Sequence, residues 1–442
     1  MITPMDEKEE QFQKVLDRFF NQKHGRTPFN KIQLKAWDHF RGLKLPNRKT
    51  ESFRYVPLRK LFEKELTKAP VVEIDRNVVT SFCLPECTGS VIVLVNGRYS
   101  KELSQLENLP SRIVVASLDE AYATYSTFLN NHFNKTLKEE CDPFVSLNTS
   151  ITEEGVFIYL PPKTVVEKPI QILHLIDTKD DTKDQSLLLN SLIQVFVGSE
   201  SEVEFVSSKK TLSGRDYFLN DVSDFAIDEN AHVRYNQILN HSSDSIWHFD
   251  ATRALLKKNS RFDVFAVTNG SQTVRTDYKV TLAGENSESA LNGLWMLEDN
   301  HQFHTHILMD HQAPSCRSRQ LFKGVLDDFS KSSFEGKILV RQAAQKTDAF
   351  QLNSNLALSE EINAYSKPNL EIFADDVKAS HGATFGQIDR EQLFCLKSRG
   401  ISDFEAKNLL VKGFCKEIVD LIKLPSLQKI LNDQVSNYRS RS

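Results

Sequence analysis

The sequence predicts a mainly β protein in which a long core of strands lies between two helical segments. From about Leu147, short strands with alternating apolar and polar residues follow one another for more than two hundred residues, with no convincing helix between them. Helical periodicity is confined to the residues before and after this run. Such a series indicates a sandwich, a barrel or a β-solenoid, and its length argues against a single small barrel. We therefore expect a β-helix of irregular coils, with a large sandwich as the alternative.

The amino-terminal segment is predicted to be helical and then mixed. Apolar residues recur at three- and four-residue steps over Phe12–Phe19 and again over Ile32–Phe40. A box of basic, acidic and aromatic residues follows at Arg48–Leu58. Ser90–Gly97 has the pattern of a buried strand that ends in an Asn-Gly turn, and a helix is predicted from Leu118 to about Lys138.

The strands of the core are predicted from their alternation and from the turns between them. The predicted strands are Val156–Leu160, Ile170–Ile176, Leu192–Val197, Val203–Val206, Tyr217–Ile227, His232–Leu239, Arg261–Thr268, Thr273–Leu282, Ala290–Leu297, Gln302–Met309, Gly336–Val340 and Leu370–Phe373. The turn signals include Ser213-Gly214, Asn269-Gly270 and Asp299-Asn300. The expected domains are residues 1–146 (helical and mixed), 147–389 (β core) and 390–442 (helical).

Helical periodicity returns after Asp389. Arg390–Lys397 is predicted as a short helix that ends at Arg399-Gly400. Ser402 and Glu405 form a capping box, which begins an amphipathic helix that Pro425 ends. The predicted apolar stripe of this helix consists of Phe404, Leu409, Leu410, Phe414, Ile418 and Leu421. A last helix carries Leu427, Ile430, Leu431 and Val435.

Composition indicates a soluble cytoplasmic protein. The 442 residues are 40% hydrophobic and 26% charged, and the net charge of −4 comes without a basic run that would suggest nucleic-acid binding. The first residues lack the pattern of a signal or transit peptide, and no apolar run is long enough to span a membrane. The six cysteines are scattered, as in reduced intracellular proteins.

The stretch Leu370–Asp389 concentrates the residues that could carry chemistry. It combines Asp375, Asp376 and His381, and a glycine bend is expected at Gly382. A serine hydrolase is disfavoured, because Ser380 and His381 are neighbours in an extended chain and point to opposite faces. A nucleotide-hydrolysing role is disfavoured as well, since the chain has no glycine-rich phosphate loop.

Two other groups of residues could bind metal. His304 and His306 share a face of a predicted strand, with His311 further along, so a stand-alone cupin-type metal enzyme is one alternative. The competing interpretation is that these histidines are half-buried polar residues on the outside of a β coil. Cys83 and Cys87 form a single C-x3-C pair, while Cys316, Cys395 and Cys415 are isolated and are expected to be buried small apolar residues. No set of cysteines within the chain is therefore suited to an iron–sulfur cluster.

His381 is a candidate for half of a shared site. A neutral imidazole is a good ligand for iron or zinc, and Asp375 or Asp376 could orient its second nitrogen. One histidine supplies one ligand where metal sites need three or four, so the others would come from another polypeptide. The alternative is a histidine that caps a turn through a hydrogen bond.

The second half of the chain also contains a series of long motifs in a fixed order. They are Phe322–Val325, Phe334–Ile338, Ala344–Ala349, Asn353–Leu358, Lys367–Ile372, Ala374–Lys378, Ser380–Thr384 and Leu396–Ile401. This series resembles the SufB/SufD family of iron–sulfur cluster assembly proteins. The Arg48–Leu58 box, and Leu147-Asn148 with Gly155–Phe157, resemble the front part of its SufD branch. The resemblance covers nearly the whole chain.

The resemblance implies a right-handed parallel β-helix flanked by helical domains, in a non-catalytic scaffold subunit. Such a subunit pairs through its β-helix with SufB, and its carboxy-terminal helices, here about Arg390–Ile422, dock the ATPase SufC. The resemblance makes His381 the cluster or iron ligand, opposite a cysteine of SufB, with Asp375 and Asp376 as supports. It implies a transient cluster shared with SufB rather than a cofactor held by this chain alone, and a homodimer is a further possibility.

Three points qualify what the resemblance implies. Arg399, Gly400 and Phe414 are candidates for the SufC contact. Many family members have a cysteine two places before the histidine, whereas this chain has Ala379. A SufB-like subunit is the nearest alternative, but SufB chains tend to be longer and often carry a clustered amino-terminal cysteine motif, which is absent here.

Overall fold

The computed structural model describes residues 7–23, 29–178, 185–212, 216–241, 243–436 and 438. Within these ranges the chain is a β-solenoid of two sheets with helices at both ends. The predicted fold class is confirmed, and the large sandwich is wrong because the ladders between successive coils are parallel rather than antiparallel. The turn predicted at Ser213-Gly214 lies outside the described residues.

The strands of the described residues are numbered in chain order. They are β1 (Leu66–Lys68), β2 (Val91–Val95), β3 (Arg98–Gln105), β4 (Val114–Ser117), β5 (Val156–Leu160), β6 (Ile170–Ile176), β7 (Ser186–Val197), β8 (Glu202–Thr211), β9 (Tyr217–Ile227), β10 (His232–Ile238), β11 (Trp247–Leu256), β12 (Arg261–Thr268), β13 (Thr273–Leu282), β14 (Glu288–Leu297), β15 (Gln302–His311), β16 (Arg317–Leu326), β17 (Lys331–Val340), β18 (Thr347–Ala357), β19 (Asn363–Ile372) and β20 (Val377–Gln387).

The helices of the described residues are numbered in the same way. They are α1 (Glu7–Lys23), α2 (Asn30–Leu43), α3 (Leu58–Phe62), α4 (Arg76–Phe82), α5 (Leu118–Glu139), α6 (Pro143–Ile151), α7 (Arg390–Ser398), α8 (Asp403–Val419) and α9 (Pro425–Ser436). None of them has both the length and the apolar character needed to cross a bilayer.

Successive strands of the solenoid alternate between two sheets. Sheet A runs β19-β17-β15-β13-β11-β9-β7-β5-β4, with β1 beside β7, and sheet B runs β20-β18-β16-β14-β12-β10-β8-β6-β2-β3. From β5 to β20, paired residues in neighbouring coils are 26 to 37 positions apart in the chain. Because this spacing is long and changes from coil to coil, no short repeat is visible in the sequence.

Alternation within each strand fills the interior of the solenoid. Val233 and Tyr235 of β10, Phe262 of β12 and Phe334 of β17 are among the residues of one continuous buried core. Removing these side chains from water is the main driving force for stacking one coil on the next. The same alternation defines the face of any other residue, since in-register neighbours of a parallel ladder point to the same side.

The two ends of the solenoid differ. At the amino-terminal end the sheets finish in antiparallel strands, β3 beside β2 and β4 beside β5. The turn between β2 and β3 is the predicted Asn96-Gly97, in which both residues have positive φ. At the carboxy-terminal end, β19 and β20 each pair with a neighbour on one side.

Helices cover the outer faces of the two sheets. Phe53 and Phe144 of the amino-terminal segment pack with Phe218 and Phe249 of sheet A. Leu147, where the sequence suggested that the strands begin, lies in the buried helix α6, and the first parallel strand begins at Val156.

The carboxy-terminal helices pack on sheet B. Val411, Cys415 and Ile418 of α8 share a core with Phe265 and Leu294. The capping box of Ser402 and Glu405 is present as predicted.

Four strands of the core were not predicted, and their inner faces explain why. β11 directs His248, Asp250 and Thr252 into the solenoid, and β18 directs Gln351 and Asn353 inward. A half-buried strand is recognised by apolar residues that point inward and polar residues that point outward. In these two strands polar residues point inward, so the expected pattern is absent. β16 and β20 were the other two, and β20 has glycines at positions 382 and 386.

Candidate functional site

The predicted site stretch lies at the carboxy-terminal end of the solenoid, which we call the open end (β19 and β20). β20 stacks in register on β18, and β19 stacks on β17. Beyond these strands the described residues provide no further coil. The backbone N–H and C=O groups on the free side of two long strands are therefore available to another chain.

His381 occupies the middle of β20, on the face that continues the interior. It is in register with Gln351 of β18, which is fully buried. Val377 and Ala379, four and two residues earlier on the same face, pack against the interior core. His381 itself is exposed because no coil covers β20. The imidazole thus lies at the mouth of the solenoid interior.

The surroundings of His381 confirm one expectation and correct another. Ser380 lies on the opposite, outer face of β20, in register with Phe350, which agrees with the argument against a serine hydrolase. The bend predicted at Gly382 is wrong, since Gly382 lies inside β20 and pairs with Leu352. The strand continues to Gln387 because its ladder with β18 is maintained through the glycine.

Below His381, the interior holds a short column of amides. The Nε2 of Gln351 donates a hydrogen bond of 2.7 Å to the Oε1 of Gln320, and both side chains are buried. Gln351 reaches across the interior to Gly336, where a Cβ atom would lie 2.1 Å from its Nε2. Pro368 of β19 stacks on Gly336, so Pro368 faces the mouth from sheet A.

Asp375 and Asp376 do not accompany His381. They lie in the loop before β20, where the backbone N–H of Asp376 donates to the Oε1 of Gln345. From Val377 to His381 the extended strand covers about 13 Å, which neither carboxylate can bridge. The expectation that these aspartates orient the imidazole therefore needs a correction: the extended strand separates them.

The three histidines of the cupin-type alternative do not converge. His304 and His306 lie on the outer face of β15, where they bond to Ser333 Oγ and Asp277 Oδ2, each over 2.8 Å. His311 lies on the inner face and bonds to Ser318 Oγ. Burial lowers the pKa of His304 to about 3 and that of His311 to about 4. The alternative prediction, a metal site shared by these three residues, is therefore wrong.

One group of acids and histidine in the described part of the chain has the spacing of a metal site. It consists of Asp221, His248 and Asp250, deep inside the solenoid. The ammonium of Lys209 already lies 3.1 Å from Asp221 and 3.4 Å from Asp250. Burial alone would lower the pKa of Lys209, but the two carboxylates outweigh burial and raise it, so this group is an internal ion cluster.

The cysteines are dispersed in the structure as well. Cys87, Cys316 and Cys415 are buried, and burial raises the pKa of the Cys87 and Cys415 thiols to about 12. Cys395 is exposed on α7, so its assignment as a buried apolar residue is wrong. Cys83 donates to the carbonyl of Leu84.

The carboxy-terminal helices present a second candidate surface. Arg399 and Gly400 are exposed at the end of α7, whereas Phe414 is half-buried and its carbonyl accepts a hydrogen bond from Lys323. The predicted apolar stripe of α8 divides: Ile418 packs on sheet B, while Phe404, Leu409 and the following Leu421 face solvent. Phe394 of α7 is 72% exposed. We call Phe394, Phe404 and Leu409 the exposed helical patch.

The amino-terminal box supports the open end, a role that sequence reasoning missed. Tyr55 stacks on Tyr365 of β19, with ring centroids 4.3 Å apart and an interplanar angle of 17°. Glu51 forms an ion pair with Lys367 of β19, and the hydrogen bond from Lys367 lowers the pKa of the Glu51 carboxyl. The residues of a box so far away in sequence gave no signal of this contact.

Comparison with known proteins gives two family matches that together span most of the chain. Residues 8–172 match the SufBD protein N-terminal region. Residues 179–414 match the SufBD core domain of the SUF system for FeS cluster assembly.

Full-length relatives agree with these matches. An iron–sulfur cluster assembly SufBD family protein of Synechocystis is 32% identical over 409 residues, which are 91% of this chain and 89% of the relative. The iron–sulfur cluster assembly protein SufD of Escherichia coli is 27% identical over 390 residues, 87% of each chain. SufD of Bacillus subtilis is 26% identical over 324 residues, 72% of each chain. The chain belongs to the SufBD family of iron–sulfur cluster assembly proteins.

Proposed function

We propose that this chain is a SufD-type scaffold subunit without catalytic activity of its own, working in the cytoplasm. It would support the assembly of an iron–sulfur cluster at an interface between its open end and a SufB-type subunit. His381 would supply one ligand to the nascent cluster, which is cargo rather than a resident cofactor. The single observation that carries this proposal is the position of His381 at the mouth of the interior, on a strand whose outer edge pairs with no strand of the described residues.

The open end has the character of a surface that a partner covers. Phe385 follows His381 on the same face of β20 and is 58% exposed, and Phe373 and Tyr365 elsewhere at the open end are exposed as well. Long, flat edges with exposed apolar residues pair readily with other strands. A second solenoid of the same kind matches both features, because it can continue the two sheets and bury the aromatic side chains. A second copy of this chain would use the same surface in a homodimer.

Ligand counting supports a shared site. Nδ1 and Nε2 are the only ligand atoms of His381, and the one metal-like cluster of the described residues, at Asp221, His248 and Asp250, lies elsewhere and holds Lys209. Iron–sulfur clusters are held mainly by cysteine thiolates, with histidine as an occasional ligand. The remaining ligands are therefore expected from the partner, including a cysteine, since Ala379 provides no thiol beside His381.

The exposed helical patch is proposed to dock a SufC-type ATPase. Its aromatic and leucine side chains are exposed, whereas Val411, Cys415 and Ile418 anchor α8 on sheet B. Arg399 and Gly400 lie beside it, at the α7–α8 turn. Phe414 would contribute only indirectly, by holding α8 on sheet B.

The test is co-expression with SufB- and SufC-type subunits, followed by purification and metal analysis. The scaffold assignment predicts negligible iron or zinc in the chain purified alone and a stable complex when the three are produced together. Stoichiometric metal in the chain alone, lost on His304→Ala and retained on His381→Ala, would contradict it. A chain that never associates with the SufB-type subunit would contradict it as well.

A further inference from the structure

The column of amides beneath His381 contains polar atoms that the fold leaves without partners. Gln351 is fully buried, and its Oε1 accepts no hydrogen bond from any residue that the structure describes. Its Nε2 donates a hydrogen bond to the Oε1 of Gln320. Buried polar atoms without a partner are rare in native proteins, and each one calls for a physical reason.

The register places Gln351, which carries this free acceptor, directly beneath His381. Gln351 and His381 are paired residues of a parallel ladder and share the inner face, so their side chains are adjacent. Gln351 is held in place from two sides, by its hydrogen bond to Gln320 and by the close approach to Gly336, where any larger residue would displace the amide. A buried acceptor that is fixed next to an exposed imidazole is suited to orient it.

We propose that Gln351 is a positioning residue for His381: the exposed imidazole turns towards the interior and donates one ring N–H to the Oε1, which has no other partner among the described residues. A neutral imidazole has one N–H and one lone pair, so this bond fixes the tautomer and directs the free lone pair out of the mouth. Histidines that bind metal usually donate their second ring N–H in this way. The role that the distant Asp375 and Asp376 cannot fill is thereby assigned to an amide inside the solenoid.

Only the importance of this hydrogen bond rests on the proposed function, because both residues belong to this chain and the bond is expected to form without a partner subunit. The test is ring ¹⁵N NMR of the full chain labelled with [¹⁵N]histidine, at a pH of about 8.5 where an ordinary imidazole is neutral. The signals of His381 are identified by their loss in His381→Ala. The expected result is one dominant tautomer in the unmodified chain.

Variants of the column sharpen the test. Gln351→Leu keeps the volume and removes the acceptor, so the two ring nitrogens of His381 should show the averaged shifts of a tautomer mixture. Gln351→Glu retains an acceptor oxygen and should restore the single tautomer. Asn355→Leu is the matched control, because it removes another buried amide from the inner face of β18 that bonds to Asn353 rather than to Gln351, and it should leave the His381 tautomer unchanged.

Two results would overturn the proposal. One is a tautomer mixture in the unmodified chain, which needs no variant and so does not depend on how Gln351→Leu folds. The other is a single tautomer that persists in folded Gln351→Leu. A third result separates the two proposals. If the tautomer depends on Gln351 but His381→Ala forms clusters normally, the hydrogen bond is supported and the proposed function is refuted.

Discussion

His304 shows how burial decides the chemistry of a histidine in this chain. The sequence placed it correctly on one face of a strand with His306, and the structure confirms that face. The sequence could not show that the Nδ1 of His304 forms a hydrogen bond with the Oγ of Ser333 in the next coil. The register between residues 29 positions apart follows from coil lengths rather than from local pattern. A pair that suggested a metal site is therefore two separately bonded residues.

The same burial predicts how stability depends on pH. His304 remains neutral in the folded state down to about pH 3, because burial, followed by the charges of Arg275 and Lys331, lowers its pKa. In the unfolded chain it takes up a proton below about pH 6.5. Acidification from pH 6.5 towards 3 therefore favours unfolding, by about 1.4 kcal/mol per pH unit for this residue. Urea unfolding measured at pH 7, 6 and 5 should show that the free energy of unfolding falls less steeply with decreasing pH in His304→Gln than in the unmodified chain.

Ser333→Ala is the matched control for this prediction. It removes the hydrogen-bond partner but no titratable group, so it should lower the free energy of unfolding by about 1 kcal/mol at every pH and leave the slope unchanged. An unchanged slope in His304→Gln would contradict the burial argument.

At the scale of single elements, α8 separates what periodicity can and cannot predict. Its start, its capping box and its amphipathic character follow from the sequence. The side that packs does not, since both Ile418 and Leu409 belong to the apolar stripe and only the position of sheet B decides which one is buried. A helix with apolar residues on two sides has more apolar surface than its own fold uses.

We expect the double variant Phe404→Ser/Leu409→Ser to fold normally and to bind a SufC-type ATPase at least roughly tenfold more weakly, as exposed interface anchors do. Circular dichroism and a binding titration measure the two effects. Ile418→Ser is the contrasting variant, because it buries a hydroxyl in the core and should lower stability by about 2–5 kcal/mol. Undiminished binding by the folded double variant would exclude this patch as the docking surface.

At the scale of the whole molecule, the sequence predicted the class of fold but not how it ends. Twelve core strands were predicted from their alternation, and four were missed, of which β11 and β18 direct polar residues inward. Neither the open end nor its contact with the amino-terminal box could be predicted, because Tyr55 and Tyr365 are brought together only by the stacking of every coil between them. The candidate histidine was found by sequence, and its true neighbour, Gln351, was not.

Hydrogen exchange measures the open end directly. The backbone amides of residues 363–387 should exchange faster in the chain alone than those of β9 and β11, which pair on both sides. Addition of a SufB-type subunit should slow exchange at 363–387 by at least roughly tenfold and leave β9 and β11 unchanged. Peptides from β9 and β11 are the internal control. Protection that appears elsewhere while 363–387 stays fast would place the interface on another surface.

The central claim is that His381 serves a cluster shared across the open end, and cluster yield in the three-subunit complex tests it most directly. His381→Ala is compared with Ser380→Ala, which alters the adjacent exposed residue on the outer face of the same strand. Iron and sulfide per complex should fall at least roughly tenfold in His381→Ala, with complex formation intact, and should be unchanged in Ser380→Ala. Equal iron and sulfide in the two variants would contradict the account.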